Sequence, residues 1–145
     1  MKKLNEMKVT FQSRSVNERF ARSVVAAFVA ALDPNVDELT DIRTVVSEAV
    51  TNCVVHAYRD KIDNIYITAS IFENGRVMIK IRDRGCGIED IDRAMEPLYT
   101  SRPAEERAGL GFAVMQSLCD RVRVSSRVGY GTTVTLIKTI AAKEA

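Results

Sequence analysis

The chain has 145 residues, of which 46% are hydrophobic and 28% are charged, and its formal net charge is +2. This length predicts a single domain spanning residues 1–145, and the small net charge, with no long basic tract, gives no indication of direct nucleic-acid binding. The longest apolar run, residues 24–32, is too short to cross a bilayer and no signal peptide follows the first methionine, so no membrane association is expected.

The first half of the chain predicts one strand followed by two helices. Residues 8–13 favour a short strand. A helix is predicted over residues 15–32, because apolar side chains recur there at helical spacing and Ser15 is followed three positions later by Glu18, a capping-box pattern. A second amphipathic helix is predicted over residues 37–58.

The second half predicts four strands, a short helical piece and a longer helix. Alternating apolar residues at 64–72 and 76–83 flank Asn74-Gly75, which is a strong hairpin signal. The remaining predicted elements are a short helical piece near residues 89–95, a helix over about 110–120 and strands at 121–127 and 131–140. This order predicts an α+β fold, a two-layer sandwich with helices on one face of a mixed, mostly antiparallel sheet.

A polar stripe interrupts the second helix. Glu48, Asn52 and His56 are spaced by four residues, so they share one face of a helix that is otherwise apolar. Because burying an unpartnered carboxylate is costly, this stripe is either a solvated face or the wall of a site. His56, the single histidine, is interpreted as structural because no nucleophile pattern accompanies it.

Two glycine motifs follow. Asp83, Gly85 and Gly87 form a D-x-G-x-G at the end of a predicted strand, where Asp83 occupies a position that the alternation assigns to the inside. Gly109 and Gly111 form a G-x-G before a predicted helix, where first-turn amides can bind phosphate oxygens. Each motif alone is weak, since glycine is common in turns and before helices.

The order of these motifs resembles that of the Bergerat-fold ATP-binding domain shared by DNA gyrase B, Hsp90, MutL and bacterial histidine kinases. Glu48 and Asn52 match its E-x-x-x-N box, the D-x-G-x-G and G-x-G match its two glycine boxes, and Gly131-Thr132 match its closing G-T. The resemblance implies binding of ATP with Mg²⁺. It assigns a general base to Glu48, a Mg²⁺ ligand to Asn52 and recognition of adenine to Asp83, which Thr132 assists. It implies that Arg107, in the lid loop, contacts the terminal phosphate. It also implies that the glycines of the two boxes let their loops fold around the nucleotide: Gly85, Gly87, Gly109 and Gly111.

Within that superfamily, the stretches "EAVTNCVVHAY", "EPLYTSRP" and "ERAGLGFAVMQSLCD" are similar to those of anti-sigma F factors, compact serine protein kinases of spore-forming bacteria. This resemblance implies two partners: an RNA polymerase sigma factor, sigma F of sporulation, and an anti-anti-sigma protein that is phosphorylated on serine. It also implies a homodimer in which the first helix contacts partners, with Arg22 as a partner-binding residue. Two alternatives stay open: an ATP-gated binding module without kinase activity, and a related serine kinase that binds no sigma factor.

The three cysteines, Cys53, Cys86 and Cys119, are far apart and form no C-x-x-C pair. With a single histidine they are poor candidates for a zinc site. Free thiols are typical of a reducing compartment, so a cytoplasmic location is expected.

Overall fold

The computed structural model describes residues 1–96 and 111–141. The strands are β1 Lys3–Gln12, β2 Asn64–Phe72, β3 Arg76–Asp83, β4 Arg121–Arg127 and β5 Gly131–Thr139. The helices are α1 Asn17–Val29, α2 Val36–Asn52, α3 Ile91–Ala94 and α4 Gly111–Leu118. A short 3-10 turn, Ala30–Leu32, extends α1, and a π-helical turn, Cys53–Ala57, extends α2.

The strands form one sheet in the order β1-β2-β3-β5-β4. All four pairings between these described strands are antiparallel, whereas a mixed sheet was predicted. The predicted hairpin between β2 and β3 is confirmed. Its turn contains Asn74 and Gly75 at φ values of 65° and 77°, the left-handed conformation that these two residue types tolerate best.

The core lies between one face of this sheet and the layer formed by α1, α2 and α4. Inward side chains of β2, β3 and β5 join those of the helices in one buried cluster, which includes Val25, Val45, Ile67, Ile79 and Met115. The two-layer α+β prediction is therefore confirmed. Within the described part of the chain, no helix has the length and apolarity needed to cross a bilayer.

The start of α1 differs from the prediction. Val16 occupies the N-cap position and no side chain caps the helix, so the capping box of Ser15 and Glu18 is wrong. The Glu18 carboxylate instead accepts a hydrogen bond from Ser47 of α2 and pairs with Arg22 at 3.5 Å. Contacts to a neighbouring helix and to the next turn thus replace the local cap.

A capping box that the sequence reading missed begins α2. The Asn35 side chain accepts from the Glu38 amide at 2.8 Å, and the Glu38 carboxylate accepts from the Asn35 amide at 2.9 Å. At the other end, the π-helical turn closes with the amide of Tyr58 donating to the carbonyl of Cys53 at 2.9 Å. This wider turn carries the chain from the helix layer toward the loop after β3.

Candidate functional site

A cavity of about 570 Å³ opens between the end of α2, the loop after β3, α3 and the start of α4. Of the residues predicted as site residues, it is lined by Asn52, Asp83, Gly87, Gly111 and Thr132. Glu48 and Gly85 are not among the described lining residues. Arg22 lies on α1, and Arg107 and Gly109 fall outside the described residues. Sequence motifs separated by up to 80 positions therefore converge on one cavity.

Asp83 lies at the base of this cavity and is only 5% exposed. Its Oδ1 accepts hydrogen bonds from the amide of Gly85 at 2.9 Å and the amide of Thr132 at 3.2 Å. Burial raises the pKa of this carboxyl, and the donors that face it, including the thiol of Cys53, act in the opposite direction. The two amides hold one carboxylate oxygen, which leaves the other directed to its thiol neighbour and the cavity.

Cys53, in the π-helical turn, is that neighbour. Its Sγ donates to Oδ2 of Asp83 at 3.6 Å, and the side chain is 4% exposed. Burial, followed by the charge of Asp83, raises the pKa of the thiol well above its usual value. Cys53 therefore keeps its proton at neutral pH and remains a donor to the carboxylate.

The hydroxyl of Ser126 attaches the loop after β3 to the sheet. The Oγ of Ser126 on β4 lies 2.7 Å from Oγ1 of Thr132, and it also accepts from the amide of Ile88 at 2.8 Å. The same Oγ donates to the carbonyl of Gly131 at 3.1 Å. Thr132, predicted to assist in the site, thus contributes its amide to Asp83 and its hydroxyl to this network.

The glycines of the D-x-G-x-G motif are required by close contacts between backbones. A Cβ on Gly85 would lie 2.4 Å from the carbonyl oxygen of Ala57, and a Cβ on Gly87 would lie 2.5 Å from that of Arg127. Gly87 also has a φ of 80°. The amide of Cys86 donates to the same Ala57 carbonyl at 3.1 Å, so the loop packs directly on the π-helical turn.

Tyr58 anchors the start of this loop through two hydrogen bonds of its hydroxyl. Its hydroxyl accepts from the amide of Arg84 at 2.6 Å and donates to the carbonyl of Asn64 at 2.6 Å. Burial raises the pKa of Tyr58 to about 12, so the hydroxyl remains protonated at neutral pH. This single side chain links the end of β3 to the beginning of β2.

The polar stripe, which runs from the last turn of α2 into the π-helical turn, is not a solvated face. Asn52 and His56 line the cavity, and Glu48, one turn before Asn52, is 4% exposed. The Nδ2 atom of Asn52 is buried and has no hydrogen-bond partner among the described residues. A buried amide nitrogen without a partner is unfavourable, and an oxygen of a bound ligand would satisfy it.

The side chains around the cavity can be compared with the ligands that the predicted Mg²⁺ requires. Within the described ranges, no cluster of three or more histidine, cysteine or carboxylate side chains could hold an ion. Mg²⁺ commonly takes only one or two protein ligands and completes its shell with phosphate oxygens and water. The Asn52 carboxamide in the cavity wall fits that pattern as a single protein ligand to a phosphate-borne Mg²⁺.

Sequence reasoning missed Cys53, Ser126 and Tyr58. The contact of Cys53 with Asp83 joins residues thirty positions apart, so no local pattern indicates it. Ser126 did carry a signal, because it is a polar residue at an inward position of an alternating strand. A tyrosine at the end of an apolar helix carries no comparable signal.

Known proteins match this chain over nearly its whole length. A family model described as the histidine kinase-like ATPase domain matches residues 11–138. An anti-sigma F factor of Caldanaerobacter subterraneus is 54% identical over 94% of each chain, and one of Geobacillus thermodenitrificans is 51% identical over 97% of each. The chain belongs to the anti-sigma F factor family.

Solved structures support the fold of this anti-sigma F family member. The RsbU and RsbW domains of a Mycobacterium tuberculosis protein superpose with a TM-score of 0.68 at 21% identity, covering 98% of this chain and 35% of that one. Full-length ShkA in complex with AMPPNP superposes with a TM-score of 0.60 at 20% identity, covering 90% and 31%. The two-layer sandwich is thus the fold of histidine kinase-like ATPase domains.

Proposed function

We propose that this protein binds an RNA polymerase sigma factor, sigma F of sporulation, and holds it inactive. In the same proposal, it uses ATP to phosphorylate a serine of an anti-anti-sigma protein. The observation that carries this proposal is identity above 50% to anti-sigma F factors over 94–97% of the chain. The cavity supports it, because its buried acceptor, its unsatisfied amide and its glycine loop suit a nucleotide. Because the proposed target is a sigma factor of RNA polymerase, we also propose that the protein acts in the cytoplasm.

Asp83 is proposed to bind the adenine ring. An ionised carboxylate is acceptor-only, so its oxygen is suited to the 6-amino group of adenine and unsuited to the carbonyl that guanine has there. The amides of Gly85 and Thr132 hold the carboxylate in place before the nucleotide arrives. Such preorganisation lowers the cost of ordering the side chain on binding.

Asn52 and Glu48 are proposed to act at the phosphate end. The carboxamide of Asn52 would hold Mg²⁺, which neutralises phosphate charge when bound. Glu48 would remove the proton as the serine oxygen attacks the γ-phosphorus, the bond from that phosphorus to the bridging oxygen breaks, and ADP leaves. Arg107, Gly109 and Gly111 keep their proposed roles of contacting the terminal phosphate and closing over the nucleotide.

A transfer assay tests the enzymatic part of this proposal. The purified chain is incubated with labelled ATP, Mg²⁺ and an anti-anti-sigma protein, and phosphoserine is located by mass spectrometry. Glu48→Gln is expected to keep ATP binding while slowing transfer by roughly 10²–10⁴-fold, because only proton removal is lost. Glu73→Gln, an exposed carboxylate at the β2–β3 turn, is the matched control and should transfer at the wild-type rate.

The same preparations separate the alternatives. ATP binding and sigma capture without any phosphoserine would indicate a nucleotide-gated binding module. Phosphoserine without co-purification of a sigma factor would indicate a serine kinase of a different pathway. If Glu48→Gln lost ATP binding and transfer in equal proportion, Glu48 would be a binding or folding element rather than the base.

We also propose a homodimer whose partners dock around α1, with Arg22 in the contact. The exposed side chains Val16 and Phe20 are 73% and 47% accessible, and they give this region apolar surface. Arg22 is partly exposed and pairs with Glu18, which holds its guanidinium at the surface of the helix. Arginine is enriched in protein interfaces, so these features favour a docking role.

A further inference from the structure

The face of the sheet opposite the helices concentrates positive charge. Side chains alternate along each strand, and the antiparallel register places Lys80 beside Thr68 on one side and Thr135 on the other, with Arg123 beyond Thr135. Six basic residues at outward positions of β1, β3 and β4 define what we call the basic face: Lys8, Arg76, Lys80, Arg82, Arg121 and Arg123.

This charge is largely uncompensated. Glu6 is the one carboxylate at the described outward positions of the strands, and it already contacts Lys3, Lys8 and Ser70. Among the described residues, no ion pair involves Arg76, Lys80, Arg82, Arg121 or Arg123. The whole chain has a net charge of only +2, so the rest of the molecule is acidic on balance. The positive charge is therefore a property of this face and not of the protein as a whole.

The basic face also has an apolar centre. Met78 of β3 and Ile137 of β5 are directly opposite each other in the register, and Arg121 of β4 follows Ile137 in the same row. Met78 is partly exposed, while its neighbours cover Ile137 to 3% exposure. An apolar centre with arginine around it is the composition of protein–protein interfaces, in which arginine and methionine are enriched.

We propose that the basic face docks an acidic surface of a protein partner. A second copy of this chain does not suit it, because a symmetric contact would place the same cations against each other. Nucleic acid suits the basic face less well than protein does. The guanidinium groups of Arg82 and Arg84 lie 4.5 and 4.9 Å from the centre of the Tyr66 ring. They therefore occupy the aromatic surface on which a base would stack. This surface is distinct from the cavity and from α1, so the proposal stands independently of nucleotide binding.

Fluorescence anisotropy with labelled probes tests the proposal. The probe is a short glutamate–leucine copolymer, compared with a glutamate homopolymer and an oligothymidylate of equal charge, and with phosphatidylserine vesicles. We expect the full chain to bind the copolymer most tightly. Lys80→Glu combined with Arg123→Glu should weaken that binding at least about tenfold, because these exposed charges meet the acidic probe.

Arg14→Glu combined with Lys61→Glu is the matched control, since it changes the net charge equally at exposed positions outside the basic face. It should bind the copolymer within about twofold of wild type. Met78→Ser should abolish the preference for copolymer over homopolymer. Equal losses in the two charge-reversal pairs, tighter binding of oligothymidylate or vesicles, or no binding of the copolymer by the wild type would each overturn the proposal.

Discussion

At the scale of single residues, the candidate site depends on the hydrogen bonds that accommodate the buried carboxylate of Asp83. Asp83 has two backbone donors on Oδ1 and a thiol on Oδ2. These donors do not fully offset the loss of hydration, because the pKa of the carboxyl is still raised by burial. The side chain therefore costs stability at neutral pH, and that cost is consistent with a residue kept for binding rather than for folding.

Asp83→Asn separates these two effects. The asparagine oxygen can still accept from Gly85 and Thr132, but its amide presents a donor to the adenine amino group. ATP affinity should fall by about 1–3 kcal/mol, the usual cost of a mismatched buried polar group. Isothermal titration measures this loss, and unchanged affinity in a folded variant would contradict the assignment of the adenine site.

The difference in folding stability between wild type and Asp83→Asn should depend on pH. Because the folded pKa of Asp83 is raised above the ordinary value, its contribution to stability is complete below that value and is lost as pH rises through the folded pKa. Wild type should therefore lose stability relative to Asp83→Asn over that window. Denaturant unfolding of both proteins at several pH values checks the sign, and a difference constant with pH would show that the carboxyl titrates normally.

Cys53 is predicted to act through Asp83. Cys53→Ala removes the thiol donor and frees the carboxylate to turn, so ATP affinity should fall about threefold to tenfold, the value of one hydrogen bond. Cys53→Ser should restore it. The informative control is purine riboside triphosphate, which lacks the 6-amino group. If Cys53→Ala weakened that nucleotide as much as ATP, the effect would be general damage to the pocket rather than orientation of Asp83.

At the scale of elements, the junction between α2 and the loop after β3 organises the site. The π-helical turn presents the carbonyl of Ala57, against which Gly85 packs and to which the amide of Cys86 donates. Tyr58 then ties the start of the same loop to β2. Helix end and loop thus form one unit, and π-helical turns are frequent at functional sites.

Substituting two glycines tests that unit. Gly85→Ala places a Cβ 2.4 Å from a backbone oxygen, so it should destabilise the fold by about 1–3 kcal/mol and weaken ATP binding as the loop shifts. Gly129→Ala is the control, because Gly129 has a φ of 83° and open space around its Cβ position. It should cost about 1–2 kcal/mol in backbone strain while ATP binding stays unchanged. Normal ATP binding by Gly85→Ala would show that the close packing does not position Asp83.

At the scale of the whole molecule, three surfaces lie on different sides of one sandwich. The cavity lies at the end of the helix layer, α1 presents apolar and basic residues elsewhere in that layer, and the basic face covers the opposite side of the sheet. This separation lets a mutation at one surface leave the others intact. It is the reason why partner binding and nucleotide binding can be tested independently.

Arg22→Glu uses that separation. The change reverses a charge on α1 and places a second carboxylate one turn from Glu18, so capture of both the sigma factor and the anti-anti-sigma protein should weaken at least about tenfold. ATP binding should be unchanged, because Arg22 is not among the described residues that line the cavity. Surface plasmon resonance with each partner measures the effect. Normal capture of both partners would place the docking surface elsewhere, with residues 97–108 as the next candidate.

Local patterns in the sequence were sufficient for most elements of this protein. Periodicity located the strands and helices, Asn74-Gly75 identified the hairpin, and the inward position of Asp83 predicted its burial, because each signal lies within a few residues of the feature it determines. The four motifs indicated the Bergerat-fold superfamily and the longer stretches indicated the anti-sigma F family, because each of these is a local pattern of residues.

Tertiary structure alone decided features that join distant residues. Ser15 and Glu18 failed as a cap because Glu18 bonds Ser47, twenty-nine positions away, and a contact between helices outweighed a local one. The hydrogen bonds from Cys53 to Asp83 and from Ile88 to Ser126 also depend on tertiary packing, because their partners are far apart in the sequence. The basic face likewise has no sequence signature, since its six cations come from three strands, β1, β3 and β4, that share a face only through the antiparallel pairing of the sheet.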